Sequence, residues 1–216
     1  MTAAVVITQP GAPDVLQLID QSVAEPGPGE VRIRQSVAGV NFVDIYFRQG
    51  QYPLAHYPAV AGFEGAGVIE RVGAGVSGWH PGQRVAYMGA PMGAYAEVRN
   101  LPATALIALP DQLDDHTAGS SMLRGLTAYM LLHRVVPLQE GDWLLVHAAA
   151  GGLGQLLTRW AVRKGIHVIA TVSSAAKATS PAPTVPNRCC CTASPTGRSK
   201  CGHWPMAWAC IWRWMA

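Results

Sequence analysis

Cysteine is absent from residues 1–188. That stretch has no disulfide framework and suits a reducing, cytoplasmic setting. No run of eighteen apolar residues occurs, so no membrane-spanning helix is expected. The start, "MTAAVVITQPGAPDVLQ", lacks the charged and long apolar regions of a secretory signal. Charged residues are sparse at 13%, and the net charge of +3 gathers late in the chain, so no basic face for nucleic acid is implied. Carboxylates stop altogether at Asp142.

What is present changes character near Lys177. All five cysteines, four of the seven tryptophans and five of the sixteen prolines lie in residues 178–216, a stretch without Asp, Glu or Leu. Disorder is the expectation for most of it. Its composition is what a GC-rich gene gives when translated in a shifted frame, and that is the preferred reading over a genuine tail. Cys189, Cys190, Cys191, Cys201, His203 and Cys210 are numerous enough for zinc, but three adjacent cysteines lack C-x-x-C geometry. "WPMAWACIWRWM" is aromatic and apolar, yet has no sustained basic face for a membrane surface.

The first hundred residues read as short strands. "AAVVIT", "VLQLID", "EVRIRQSVAGV", "AGVIERVGAGV", "QRVAYM" and "AYAEV" are set off by Gly and Pro, a pattern that favours an antiparallel barrel. "NFVDIYFRQG" predicts a short helix closed by Gly50. From Asp114 the period changes: "DDHTAGSSMLRGLTAYMLLHRVV" has the acidic start and basic end of a helix, with a possible break at Gly125. "DWLLVHA" then predicts a buried strand. Leu153, Leu156, Leu157, Trp160 and Ala161 fall at i, i+3, i+4, i+7 and i+8, one face of an amphipathic helix. "IHVIATV" follows as a second strand, which completes a parallel crossover unit.

Between the first of these strands and its helix lies Ala149-Ala150-Gly151-Gly152-Leu153-Gly154. Against the dinucleotide fingerprint G-x-G-x-x-G, Ala149 replaces the first glycine and the other two match. Gly151 admits a pyrophosphate close to the backbone, and Gly154 lets helix and strand approach. The helix's first N–H groups then face the phosphates. A tight structural turn is the plain alternative, but the strand–turn–helix setting favours the dinucleotide. An NAD site wants Asp or Glu about twenty residues on. Here stand Thr171, Val172, Ser173 and Ser174, with Lys177 close behind. Hydroxyls and an ammonium suit a 2′-phosphate, so the cofactor read here is NADPH. Lys177 alone would be an ordinary solvated lysine; the missing carboxylate decides.

Several stretches together carry a family likeness. "AGVNFVDIYFRQGQYP", "PAVAGFEGAGVIERVGAGV", "GQRVAYMGAPMGAYAEV", "LRGLTAYMLL" and "VHAAAGGLGQ" resemble the zinc-independent quinone oxidoreductases of the medium-chain dehydrogenase/reductase superfamily, over about residues 1–177. The resemblance implies an α/β protein with a β-barrel: a GroES-like N-terminal barrel (1–123), then an incomplete Rossmann doubly wound parallel sheet binding NADPH (124–177), with NADPH between the two and 178–216 as an aberrant tail. It places Asn41, Phe42, Asp44, Tyr46 and Thr127 near the nicotinamide. Asn41, Tyr46 and Thr127 are the implied catalytic groups, and Arg124 stands where relatives often carry lysine. Zinc alcohol dehydrogenases of the same superfamily are the rival. They need a cysteine where Asn41 stands and a histidine where Phe63 stands, and neither an amide nor a phenyl ring replaces those ligands.

Each of these residues also has a structural reading. Asp44 can orient Arg48 at i+4. Tyr46 can be an ordinary half-buried aromatic, and Thr127 can bond its own preceding turn. His147 reads as a packed residue rather than a general base. The expected acceptor is a quinone or another small electrophile. The alternatives are an enone or enoyl-thioester reductase, or a non-catalytic binding protein. The family commonly forms homodimers, which only two recognisable Rossmann strands put in doubt. The same shortfall predicts weak NADPH binding and exposed sheet edges.

Overall fold

A computed structural model describes residues 1–89, 91–178 and 188–191. The chain divides into two compact units, Met1–Leu123 and Arg124–Ala216.

The first unit is built from short antiparallel strands. β1 (Thr2–Ile7) pairs with β2 (Leu16–Gln21), and a ten-residue β3 (Glu30–Gly39) follows. In β3 Val31 and Ile33 are fully buried while Arg32 and Arg34 alternate outward, the period-two signature of a half-buried strand. Helix α1 (Phe42–Arg48) starts at the N-cap Asn41 and is closed by Gly50 at φ +75°, where a left-handed residue ends the turn. β4 (Ala59–Val60), β5 (Glu64–Val72), β6 (Arg84–Met88), β7 (Val98–Pro102) and β8 (Ile107–Ala108) complete the unit. They form sheets of order β2-β1-β4 and β7-β3-β5-β6-β8.

This corrects the expected barrel: among the described residues no ladder closes. The two sheets meet through residues 95–97, where Val5 N–H bonds Tyr95 O and a lone bridge joins Ala4 to Ala96. "AYAEV" therefore supplies that bridge and only the first residue of β7. Val31, Ile33, Ile69, Val85, Tyr87 and Leu101 form the main core, and Ile7, Val15 and Ala61 form a smaller one.

Helix α2 (Asp115–Met130) runs unbroken through Gly125 and ends in a π-helical turn, Leu131–Val135. The possible break at Gly125 does not occur. A glycine inside a helix costs about 1 kcal/mol relative to alanine, too little to stop a helix that packs at both ends. Beyond it, the second unit carries β9 (Trp143–Val146), α3 (Gly152–Arg163), β10 (His167–Val172) and α4 (Ala175–Ala178). β9 and β10 are parallel, with Leu144 opposite Val168 and Val146 opposite Ala170. The α3 face anticipated from spacing is the one that packs: Leu157 and Ala161 join Leu144, Val146, Ile166 and Val168 in one core, with Leu153, Leu156 and Trp160 at its margin.

Arg188–Cys191 forms β11, a third parallel strand on the other edge of β10. Two strands and a disordered tail were anticipated there. An open edge of β10 offers unpaired N–H and C=O groups, and these recruit backbone whatever the side-chain pattern. The remaining tail expectations, the shifted frame, the zinc ligands and the aromatic segment, fall outside the described residues apart from Cys189–Cys191. No helix among the described residues is long and apolar enough to cross a membrane.

Candidate functional site

In the first unit a buried polar network surrounds the start of α1. Asn41 N–H donates to Asp44 Oδ2 (2.8 Å), so the third helical residue reaches back to the N-cap and fixes the first turn. Asn41 Nδ2–H donates to Glu64 Oε1 (2.8 Å), and Leu123 N–H donates to Glu64 Oε2 (2.6 Å). Glu64 is fully buried, and both of its side-chain oxygens accept a hydrogen bond, as buried polar groups require. Gly39 makes room for it: a Cβ at that position would clash with the Glu64 carboxylate and come within 2.5 Å of Gly119 O.

Asp44 has a further partner. Tyr95 O–H donates to Asp44 Oδ2 at 2.7 Å. Burial pushes the Asp44 carboxyl above its usual range, against the lowering effect of the Asn41 N–H and the Tyr95 hydroxyl. Burial also raises the Tyr95 phenol, reinforced by its bond to Asp44 and by the charges of Asp44 and Glu64. The bonds Asp44 makes thus run to Asn41 and Tyr95, and the i+4 pairing with Arg48 is not among them. Aromatic rings line the outer side of α1. Tyr46 meets Phe42 (5.3 Å) and Tyr52 (5.5 Å) edge-on, while Phe47 stacks on Phe63 at 5.2 Å. Phe42 is largely exposed, and Tyr46 is half-buried.

In the second unit the bend after β9 is shaped by Ala148, which takes a left-handed φ of +49°. The strained position falls one residue before Ala149, which stands in the fingerprint's first glycine place. Gly151 N–H bonds back to Ala148 O (2.8 Å), and Gln155 N–H makes the first helical bond to Gly151 O (2.9 Å). The N–H groups of Gly152, Leu153 and Gly154 are therefore the ones without an acceptor inside the helix. Gly154 is buried, and a Cβ there would lie 2.5 Å from Ala148 O and 2.7 Å from Ala149 Cα. Gly151 and Gly152 are exposed; a Cβ on Gly151 meets only Ala148 O at 3.1 Å. The bend is closed where helix meets strand and open where its amides emerge. Gln155 Nε2–H also holds Ala150 O (2.7 Å), and the Arg124 guanidinium lies 3.0 Å from where a Gly152 Cβ would be. Thr127 is half-buried on α2, three residues beyond Arg124.

Beside the bend is a cavity of about 400 Å³ lined by His147, Ala148, Ala150, Gly151, Thr171, Val172, Ser173 and Lys177. No acidic side chain is among its lining residues. Lys177 Nζ donates to Ser173 Oγ (3.0 Å), and Lys177 N–H approaches Ser174 Oγ at 3.4 Å. His147 is exposed rather than packed, and its Nδ1 lies 3.0 Å from Thr171 Oγ1. It sits just past the end of β9, between the buried Val146 and the left-handed Ala148.

Of the residues singled out from sequence, Asn41 and Asp44 share one network, and Ala150, Gly151, Ser173 and Lys177 line one cavity. Tyr95 and Glu64 are not singled out from sequence; Thr171 belongs to the hydroxyl-bearing stretch read as suiting a 2′-phosphate, and His147 is read there as packed. The signal for Glu64 was its place between Phe63 and Gly65, at the start of a strand with small neighbours. Nothing in local spacing pointed to Tyr95, which lies 51 residues from its partner.

The alcohol dehydrogenase GroES-like domain family matches residues 27–111. A quinone oxidoreductase from Pseudomonas aeruginosa is 46% identical over 168 residues, covering 78% of this chain and 52% of that protein. A 2-haloacrylate reductase from Burkholderia sp is 45% identical over 184 residues, covering 82% and 55%. The crystal structure of Escherichia coli quinone oxidoreductase complexed with NADPH superposes with a TM-score of 0.83 at 35% identity, covering 87% of this chain and 57% of that one.

This chain is a homologue of the quinone oxidoreductases. It spans about half the length of the curated relatives it matches. As such a homologue it carries a GroES-like segment in the first unit and a parallel α/β unit in the second.

Proposed function

We propose that the chain belongs to an NADPH-dependent oxidoreductase that reduces a quinone without zinc. The observation that carries this reading is the acid-free cavity beside the open Gly151–Gly152 bend, with Lys177 fixed on Ser173. A 2′-phosphate is favoured by a nearby ammonium and disfavoured by a carboxylate, so the lining chemistry matches NADPH better than NAD. The fit of the bend supports it as well. Gly151 and Gly152 are exposed, and the first amides of α3 have no acceptor inside the helix, which suits a diphosphate. NADPH, when bound, supplies the hydride. The similarity to proteins whose crystal structures hold NADPH points the same way.

The chain's own residues have separate tasks. Gly152, Leu153 and Gly154 offer amides to the diphosphate, Ala150 borders it, and Arg124 adds charge beside Gly152. Ser173, Ser174 and Lys177 take the ribose phosphate. In the first unit the amide of Asn41 is held in one orientation by Glu64, and its helix by Asp44 and Tyr95. It serves as a rigid hydrogen-bonding group for the nicotinamide carboxamide or a quinone oxygen. Phe42 and Tyr46 supply an aromatic wall for a planar acceptor, and Thr127 a hydroxyl. The Asn41 side chain is engaged with Glu64 and brings no thiolate or imidazole, which favours a metal-free reaction. With the hydride, one proton completes the hydroquinone, and it comes from water.

A second acceptor class is an activated carbon–carbon double bond, favoured by the similarity to a 2-haloacrylate reductase. Loss of NADPH absorbance at 340 nm with 1,4-benzoquinone, 2-chloroacrylate or a simple enone separates the classes. Oxidation with quinone alone supports the primary reading. Oxidation with the olefins alone moves the function to the second, and no oxidation with any of them leaves a binding protein. The cysteine-free first 188 residues favour a reducing compartment such as the cytoplasm.

A further inference from the structure

The acid-free cavity contains one group with no assigned task. His147 is exposed, lies one residue past β9, and shares the cavity wall with Lys177 and Ser173. Its Nδ1 is 3.0 Å from Thr171 Oγ1, and the backbone couples the same two segments, with Ala149 N–H bonding Thr171 O at 3.0 Å. The ring is thus held by one bond to the Thr171 side chain, while the backbone two residues on is fixed to the same residue of β10. With the Thr171 hydroxyl donating to Nδ1, the neutral ring carries its hydrogen on Nε2. An imidazole held this way offers its Nε2 hydrogen for a further bond. His147 and Lys177, the latter also bonded to Ser173, then line one cavity that has no carboxylate among its lining residues.

We propose that His147, aligned by Thr171, is a specificity-determining residue that reads a phosphomonoester on the ribose held in this cavity, opposite Lys177. The inference rests on the NADPH reading of the same cavity and assigns it a second recognition point. A single lysine, a flexible point charge, attracts a phosphate without fixing its position. A second, rigid donor adds geometry and raises discrimination against a nucleotide with a bare hydroxyl. A nucleotide lacking the 2′-phosphate makes no use of Nε2 and so gains nothing from the histidine.

The test uses the full chain and two fragments that differ only in the phosphate, adenosine 2′,5′-bisphosphate and adenosine 5′-monophosphate, titrated by calorimetry. The wild-type chain is expected to prefer the bisphosphate. His147→Ala should reduce that preference roughly tenfold, the effect of losing one hydrogen bond to a charged group, while affinity for the monophosphate changes less than twofold. Thr171→Val, which keeps the ring but frees it, should reduce the preference by a smaller factor. His147→Gln, which restores a donor, should recover part of the loss. An unchanged preference in His147→Ala overturns the proposal, as does equal weakening of both nucleotides, which marks a structural role. If the wild-type chain binds the bisphosphate only through Lys177, Lys177→Ala abolishes the preference while His147→Ala leaves it intact. Binding of neither fragment by the wild-type chain overturns the NADPH reading itself, and the proposal with it.

Discussion

Two glycines three residues apart in the same bend should respond in opposite ways to the same added methyl. At Gly154 the new Cβ would sit 2.5 Å from Ala148 O and 2.7 Å from Ala149 Cα. Both are backbone atoms of the preceding strand–turn, so no side chain can rotate away, and α3 must move outward. Overpacking of this kind costs about 1–3 kcal/mol. In a chain of this size that lowers the melting temperature by roughly 2–4 °C per kcal/mol. At Gly151 the backbone is in an ordinary region (φ −76°), and the only neighbour is Ala148 O at 3.1 Å. Alanine there should leave stability within about 1 kcal/mol, and restricting the unfolded chain even favours folding slightly. The added methyl, however, stands where a diphosphate has to approach the backbone. Gly151→Ala should weaken NADPH binding by at least about tenfold, the effect of losing roughly 1.4 kcal/mol of close contact. Thermal unfolding and calorimetric titration of both variants separate the effects. A Gly154→Ala chain as stable as wild type, or a Gly151→Ala chain that keeps full affinity, would refute the reasoning about this bend.

The buried network of the first unit makes its own predictions. Glu64→Gln places an amide N–H against one of the donors Asn41 Nδ2 or Leu123 N, and should destabilise by about 1–3 kcal/mol in denaturant unfolding. Tyr95→Phe removes the hydroxyl that Asp44 accepts from, and should cost about 1 kcal/mol while disturbing nicotinamide binding more than nucleotide-fragment binding. Asp44 is raised above its ordinary value of 3.8 by burial, so the folded chain holds this proton more tightly than the unfolded one. Its contribution to stability is therefore greatest at low pH and is lost as pH rises through the raised value. Asp44→Asn, which cannot ionise, should flatten that part of the stability profile above the ordinary carboxylate range; identical profiles would contradict the assignment. Leu157→Ala empties a core site shared with Leu144 and Val168, and should cost about 2–5 kcal/mol.

Where one element carries its own pattern, the fold was legible. Val31 and Ile33 alternate with arginines and predict β3, and the spacing from Leu153 to Ala161 predicts the packed face of α3. Gly125 misled because a local propensity was weighed without knowing that tertiary packing carries the helix through it. Barrel closure was not legible, since it depends on which strand edges meet, and residues 95–97 join β1 by one bridge rather than a ladder. β11 was hidden because Arg188–Cys191 has no alternating apolar pattern, and its pairing is supplied by the open edge of β10.

The same division holds for the candidate site. Gly151, Gly154, Ser173 and Lys177 are close in sequence, and their spacing encodes a bend and a strand end. Glu64 and Tyr95 reach Asn41 and Asp44 across 23 and 51 residues, and such meetings are set by sheet topology. His147 reads as packed because it continues the apolar strand "WLLV"; the left-handed turn at Ala148 that follows leaves its side chain exposed.

Amide resonances of residues 151–154 report most directly on whether this bend grips a diphosphate. Titrating NADPH into the ¹⁵N-labelled chain should shift the signals of Gly152, Leu153 and Gly154 saturably, with the side-chain ammonium of Lys177 and the ring of His147 following the same curve. Unmoved signals from those three amides at an NADPH concentration that shifts others, or at any concentration up to solubility, would contradict the account.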